Sequence, residues 1–167
     1  MKPARPPIRP FESRDAEAVV ELSLRAWKPV FASIEQAMGS ETYRRLVPDW
    51  RESQRKAVEK VCTSEETQVW VAELAAETDA RVVGFVAVEL HPEDNLGEIY
   101  LLAVDPDHQG GGIGTALTEF ALDRIKDSGL TVAMVETGGD PGHAAARRTY
   151  EKAGYVHLPI ARYFKNL

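Results

Sequence analysis

The stretch from Gly97 to Leu117, GEIYLLAVDPDHQGGGIGTAL, constrains the fold more than any other part of the chain. Its first half contains an apolar run, Ile99 to Val104, with the length of a buried strand. Asp105-Pro106-Asp107 ends that strand, because proline has no N–H to give a ladder and Asp favours turns. Gln109-Gly110-Gly111-Gly112-Ile113-Gly114 comes next, and apolar residues then recur at helical spacing: Ile113, Leu117, Phe120, Ala121 and Ile125. The local order is strand, glycine-rich turn, helix. Amides in the first turn of a helix have no intrahelical partner, and the helix dipole adds about half a positive charge there. Glycines let a ligand approach that backbone closely. The guest that suits such a place is an anion, most often a phosphate.

Two common phosphate loops do not fit. A dinucleotide fingerprint has glycines at its first, third and sixth positions. Counted from Gly110 the sixth position is Thr115, and from Gly112 it is Leu117. A Walker loop needs Gly-Lys-Ser/Thr, and no lysine occurs between Asp105 and Asp123. The pattern Gln109-x-x-Gly112-x-Gly114, behind a strand and ahead of a helix, resembles the pyrophosphate loop of the GNAT superfamily, the acyl-CoA-dependent N-acetyltransferases. By itself the glycine pattern also suits a turn with no ligand; the flanking strand and helix favour the loop. The resemblance is best from Val82 to Leu167, and Ser13 to Thr63 matches only in placement. It implies that acetyl-CoA binds the amides of Gln109, Gly110, Gly111, Gly112, Ile113, Gly114 and Thr115. Leu102, Ala103 and Val104 would offer strand-edge backbone groups to the pantetheine arm.

The rest of the chain divides into short, recognisable elements. Ile8 to Phe11 reads as a short strand, and Ser13 as a helix cap. The helix after it keeps a 3.6-residue period and is expected to end before Pro29. Val30 to Gly39 reads as a short helix or packed loop. Further helices are expected from Ser40 to Leu46 and from Pro48 to Cys62. Gln68 to Leu74 and Arg81 to His91 read as a hairpin joined by Ala75 to Ala80. Gly129 ends the helix of the central stretch. Leu130 to Thr137 reads as a strand, His143 to Ala153 as a helix, and Tyr155 to Leu158 and Ile160 to Phe164 as two short final strands. The fold class is therefore α/β (α+β): a mixed, mostly antiparallel central sheet with helices on both faces and one parallel crossover. That is also the order of the GNAT fold, and 167 residues with 44% apolar content suit a single domain, 1–167.

Charge and composition narrow the partners. A net charge of −6 with no long Lys/Arg cluster argues against nucleic-acid binding. No apolar run approaches the roughly 20 residues of a membrane span. The basic start, MKPARPPIRP, lacks the apolar segment of a signal peptide, so a cytoplasmic location is expected. The single cysteine, Cys62, excludes an internal disulfide. The four histidines lack metal-ligand spacing, and no metal is expected. A homodimer is compatible with such a fold, without a clear signal in the sequence.

Amide formation from a thioester needs an amine stripped of its proton, donors for an oxyanion, and a proton for the leaving thiolate. The segment from His143 to Tyr155 resembles the late GNAT segment in which an Asn, then a Tyr seven residues on, precede Glu-Lys-x-Gly-aromatic. The resemblance makes Tyr150 the proton donor beside the thioester sulfur. Helical spacing alone, with Ala146, Thr149 and Ala153 on the same face, makes it a core aromatic. His143 stands where the family often has Asn, and would contact the pantetheine arm. Arg147 and Arg148 either meet the coenzyme 3′-phosphate or form a solvated face. Glu98 is the candidate base, with Glu136, Asp140 and His91 as alternatives; His108 is read as ordering the turn. These assignments amount to an N-acetyltransferase acting on a primary amine of a small molecule or peptide N-terminus by direct transfer. The alternative is a non-catalytic acyl-CoA-binding or sensor domain on the same fold.

Overall fold

A computed structural model describes residues 6–75 and 80–167. Five strands, β1 (Ile8–Pro10), β2 (Thr67–Leu74), β3 (Arg81–His91), β4 (Leu96–Val104) and β5 (Val132–Val135), form one sheet in the order β1-β2-β3-β4-β5. The first four are antiparallel to their neighbours, and β5 runs parallel to β4. The crossover between β4 and β5 is α4 (Ile113–Asp127). Before the hairpin come α1 (Ala16–Met38), α2 (Ser40–Leu46) and α3 (Trp50–Thr63); α5 (Ala144–Lys152) lies beyond β5. The mixed, mostly antiparallel sheet and its single parallel pairing are as expected. The hairpin turn at 76–79 lies outside the described residues.

Two apolar layers sandwich the sheet. On one face Ile113, Leu117, Ala121 and Ile125 of α4 pack against Val86, Val88 and Ile99. On the other, Val19, Val20 and Leu24 of α1 and Val58 of α3 pack against Val71, Phe85 and Ala103. The α4 layer comes very close at Gly97, where a Cβ would stand 2.5 Å from the Ile125 side chain. Strand β4 serves both layers through an irregularity: Val88 pairs with Ile99, but Ala87 pairs with Leu101. Tyr100 is the extra residue, a bulge that bends the strand and re-aims its second half.

The helix starting near Ser13 does not stop before Pro29 but runs on to Met38. An interior proline costs a helix about 3 kcal/mol through its missing N–H and its clash with the preceding turn. Aromatic packing on both sides of it offsets that cost. Trp27 meets Phe85 edge-on with ring centroids 6.4 Å apart, and Phe31 stacks on Trp50 at 4.7 Å. The third helix begins at Trp50 rather than Pro48, because the Asp49 side chain caps it by accepting from the Glu52 amide at 3.0 Å.

The two final strands expected at Tyr155–Leu158 and Ile160–Phe164 do not form; residues 155–167 continue from α5 without strand pairing. The alternating apolar pattern is present, but a strand exists only where another edge accepts its hydrogen bonds.

Candidate active site

The glycine-rich turn is held by the residues that precede it. Asp105, 3% exposed, accepts from the Asp107 amide at 3.0 Å, from Arg25 of α1 at 2.9 Å and from Arg81 of β3 at 3.3 Å. Burial alone would raise this carboxyl; the Asp107 amide and the Arg25 and Arg81 guanidiniums outweigh it and hold the group below its ordinary value. A carboxyl depressed by folding contributes stability above its unfolded value of ~3.9, and that contribution is lost as pH falls through the folded value. Asp105→Asn is expected to lower stability at pH 7 by about 1.5–3 kcal/mol, the range for hydrogen bonds to a charged group. Urea melts of both proteins at pH 7 and pH 3 check this: the gap between them should shrink in acid.

Beyond Asp105 the Gln109 side-chain amide donates to the Val104 carbonyl at 3.0 Å, closing the loop onto the strand end. Gly110 (φ 79°) and Gly112 (φ 87°) take left-handed backbone conformations that favour glycine. Gly112 caps α4, and Ala116 N–H bonds to its carbonyl at 2.9 Å. The amides of Ile113, Gly114 and Thr115 therefore precede the first intrahelical bond of α4. Ile113 faces the core, leaving its backbone for the loop. At Gly114 a Cβ would lie 3.7 Å from Val104 and strain nothing in the free protein.

Next to this turn the sheet opens. Pairing of β4 with β5 runs from Leu96↔Val132 to Ile99↔Val135 and stops at the bulge. From Leu101 to Val104, β4 remains paired with β3 but has no strand partner on the β5 side among the described residues. The side chains of Ala103 and Val104 enter opposite apolar layers, and Leu102 packs with Val104. Asp105 N–H donates to the Val83 carbonyl at 2.8 Å, so by the alternation of the ladder Ala103 bonds toward β3, while Leu102 and Val104 turn their backbone groups to the opening, where the Val104 carbonyl meets Gln109.

Glu98 precedes Ile99 and so points to the α1–α3 face. It sits directly opposite Glu89 of β3. His91 Nε2 is 3.5 Å from a Glu98 carboxylate oxygen, and the ligating atoms of Glu89, His91 and Glu98 all lie within 4.8 Å of one another. Thr67 on β2 donates to Glu89 at 3.0 Å. The structure thus unites two of the candidate bases, Glu98 and His91, and adds Glu89. That residue carries no motif; the hairpin register was the only signal that could have found it.

The other two candidate bases stand elsewhere. Glu136 is largely exposed, 3.9 Å from Arg162. Asp140 is fully engaged: it accepts from the Ser33 hydroxyl of α1 at 2.6 Å and from the Gly142 amide at 3.1 Å, and it meets His143 Nδ1 at 2.5 Å. Burial would raise Asp140, but Ser33 and His143 hold its carboxyl low. With Nδ1 turned to a carboxylate, the imidazole keeps Nε2 for a ligand. Ser33 is 107 residues away in sequence from Asp140 and gave no sequence signal. Arg147 donates to the carbonyls of Gly138 at 2.5 Å and Asp140 at 2.9 Å, so its guanidinium secures the turn before α5. Tyr150 meets Tyr155 edge-on, with ring centroids 5.9 Å apart, and burial pushes its phenol up to about 12. Cys62 lies on α3, its thiol raised to about 11 by burial, which suppresses the thiolate a nucleophile needs.

Known proteins resemble this chain in sequence and in fold. Residues 31–155 match the model of the Acetyltransferase (GNAT) family. Mycothiol acetyltransferase of Streptomyces coelicolor is 42% identical over 81 residues, covering 48% of this chain and 26% of that protein. The chain thus spans about a quarter of that curated relative. Among solved structures, the aminoglycoside antibiotic 6′-N-acetyltransferase of Acinetobacter haemolyticus superposes with a TM-score of 0.64 at 14% identity, covering 96% of this chain and 98% of the other. The ribosomal-protein-S18-alanine N-acetyltransferase of Escherichia coli gives 0.62 at 20% identity, covering 92% and 79%. No helix among the described residues is long and apolar enough to cross a membrane. With the family model spanning most of the chain and the fold shared by both solved structures, this protein belongs to the GNAT acetyltransferase family.

Proposed function

We propose that the chain is an N-acetyltransferase that moves an acetyl group from acetyl-CoA to a primary amine by direct attack. The observation that carries this reading is the turn of left-handed glycines opening α4 beside the unpaired edge of β4. The residues fit the cosubstrate: the first-turn amides suit a pyrophosphate, and nothing occupies the space a Cβ would take at Gly110 or Gly112. An extended pantetheine arm can hydrogen-bond along the Leu102–Val104 edge much as a strand would, at the outward backbone groups of Leu102 and the Val104 N–H, with Ala103 between them bonded toward β3. His143, fixed by Asp140, supports a further polar contact to that arm.

In this reading Glu98 takes the proton from the incoming amine, and Tyr150 donates to the leaving sulfur. Glu89 and Glu98 also favour an acceptor that arrives as an ammonium, since two carboxylates facing each other across a strand pair destabilise one another until a cation joins them. The test is release of coenzyme thiol from acetyl-CoA across a panel of primary amines and peptide N-termini. Amine-dependent release supports the enzyme. Tight binding of acetyl-CoA without release from any amine would mark a sensor domain.

The loop has its own test. Gly114→Ala is expected to leave the melting temperature within a few degrees of wild type while weakening acetyl-CoA at least tenfold, because the methyl group occupies the space where the ligand approaches the backbone. Calorimetric titration decides this, and unchanged affinity would remove Gly114 from the site. Gly112 is a poorer probe, since a side chain there is strained by φ 87° whether or not a ligand binds.

A further inference from the structure

Where this chain brings carboxylates together, it sets a guanidinium between them. Asp15 and Glu73 share Arg9, and Asp105 has both Arg25 and Arg81. Glu89 and Glu98 are the exception. They stand directly opposite each other on β3 and β4, an arrangement in which like charges repel. Among the described residues no lysine or arginine pairs with either one. Their charged neighbour is instead an imidazole. His91 pairs with Leu96 on the same face, which makes it the diagonal neighbour of Glu98, within reach of a long side chain.

Two carboxylate oxygens and one imidazole nitrogen thus converge, each ligand atom within 4.8 Å of the other two. These are the donors that zinc takes. Ligands about 2.1 Å from a shared tetrahedral ion stand about 3.4 Å apart, so the widest gap has to close by roughly 1.4 Å. Rotation about side-chain bonds provides that. The backbone beneath is held firmly, β3 between β2 and β4, and β4 between β3 and β5 over Glu98. The Thr67 hydroxyl donates to one Glu89 oxygen at 3.0 Å, an outer contact of the kind that orients a ligating carboxylate. The site is also reachable: the His91 side chain is 32% exposed and that of Glu98 19%.

We propose that Glu89, His91 and Glu98 bind one zinc-type divalent ion, with a fourth position left to water. The imidazole selects zinc, cobalt or nickel over magnesium and calcium, which prefer sets of oxygen ligands. No histidine pair marks the site in the sequence, because the hairpin builds it by setting Glu98 against Glu89-x-His91. The ion takes up the carboxylate that the acetyl-transfer reading assigns to the incoming amine. Resting on that reading, bound zinc blocks transfer: Glu98 becomes a ligand, and a cation already sits where the ammonium would approach.

Calorimetric titration of the full chain with zinc chloride, in a buffer that does not bind metal, tests the site without any acceptor. Wild type should take up one zinc per chain, cobalt(II) should compete for it, and magnesium should not displace it. His91→Ala and Glu89→Gln should weaken zinc by about a hundredfold or more, and Thr67→Val by roughly tenfold, the lower end for a residue that orients a ligand. Wild type without saturable binding overturns the proposal, as does displacement by magnesium. Binding that survives both ligand substitutions overturns it too, since the ion would then sit at His108, His143 or His157. If the variants misfold, nitrogen NMR of the wild-type imidazoles decides. Zinc that shifts His91 Nε2 supports the site, and zinc that shifts only other histidines overturns it. Thiol-release assays then separate the two readings. Zinc that binds and stops amine-dependent release, with recovery on adding a chelator, joins the ion site to the reaction. Zinc that binds at His91 and leaves release unchanged upholds the ion site and removes Glu98 from proton transfer.

Discussion

Tyr150→Phe is expected to lower acetyl-transfer turnover by roughly a hundred- to ten-thousand-fold, the range for general acid–base catalysis, while acetyl-CoA affinity and stability stay near wild type. The substitution keeps the ring and its edge-on contact with Tyr155 and removes only the hydroxyl. Burial sharpens the role. With the phenol near 12 and a thiol near ~8.5, complete proton transfer to the leaving sulfur is uphill by roughly 5 kcal/mol. In the proposed reaction Tyr150 would therefore serve best as a hydrogen-bond donor to the developing thiolate, releasing its proton only if the site also stabilises the phenolate. Single-turnover rates at saturating acetyl-CoA separate this from binding. A variant that turns over at the wild-type rate makes Tyr150 the core aromatic that its helical spacing alone suggested.

Glu98→Gln should cost a similar factor near neutral pH and recover part of it in alkali. A lysine-like amine ionises near ~10.4, so at pH 7 nearly every acceptor molecule carries the proton that a base must remove. Without the carboxylate the rate should climb with the deprotonated amine, approaching wild type above pH 10. Rate profiles from pH 6 to 10.5 show it; parallel profiles in wild type and variant would exclude Glu98 as base. His91, 3.5 Å from Glu98, is the residue to replace next in that event.

Much of the fold was legible because it is written locally. The bounds of β3 match its apolar run, and the order of strand, glycine turn and helix at 96–127 comes from residues adjacent in sequence. The departures have long-range causes. Pro29 marks a helix end by its own chemistry, and only the rings of Phe85 and Trp50 explain why the helix continues. Asp140 looked free to act as a base, but a serine on α1 binds it. The alternation of 155–164 says that the segment can be a strand, while forming one takes pairing with another strand, and the segment pairs with none. In the candidate site, the loop and Glu98 stood in recognisable motifs, whereas Glu89 joined them only through hairpin register.

The bulge at Tyr100 gives β4 one residue more than its pairing with β3 requires. Before it, odd-numbered Ile99 faces α4; after it, even-numbered Leu102 and Val104 do. Excising Tyr100 would restore regular pairing and leave all of these side chains, with Leu101 and Ala103 of the α1 layer, on the faces they already occupy. Both cores would stay filled, and the loss would fall on the bend alone. Pairing with β5 ends at Ile99, beside the bulge, so a straightened β4 would lie open to continued pairing along the chain beyond Val135. The supernumerary residue is thus dispensable to the interior and indispensable to the cleft: an odd count in one strand keeps its neighbour at a distance.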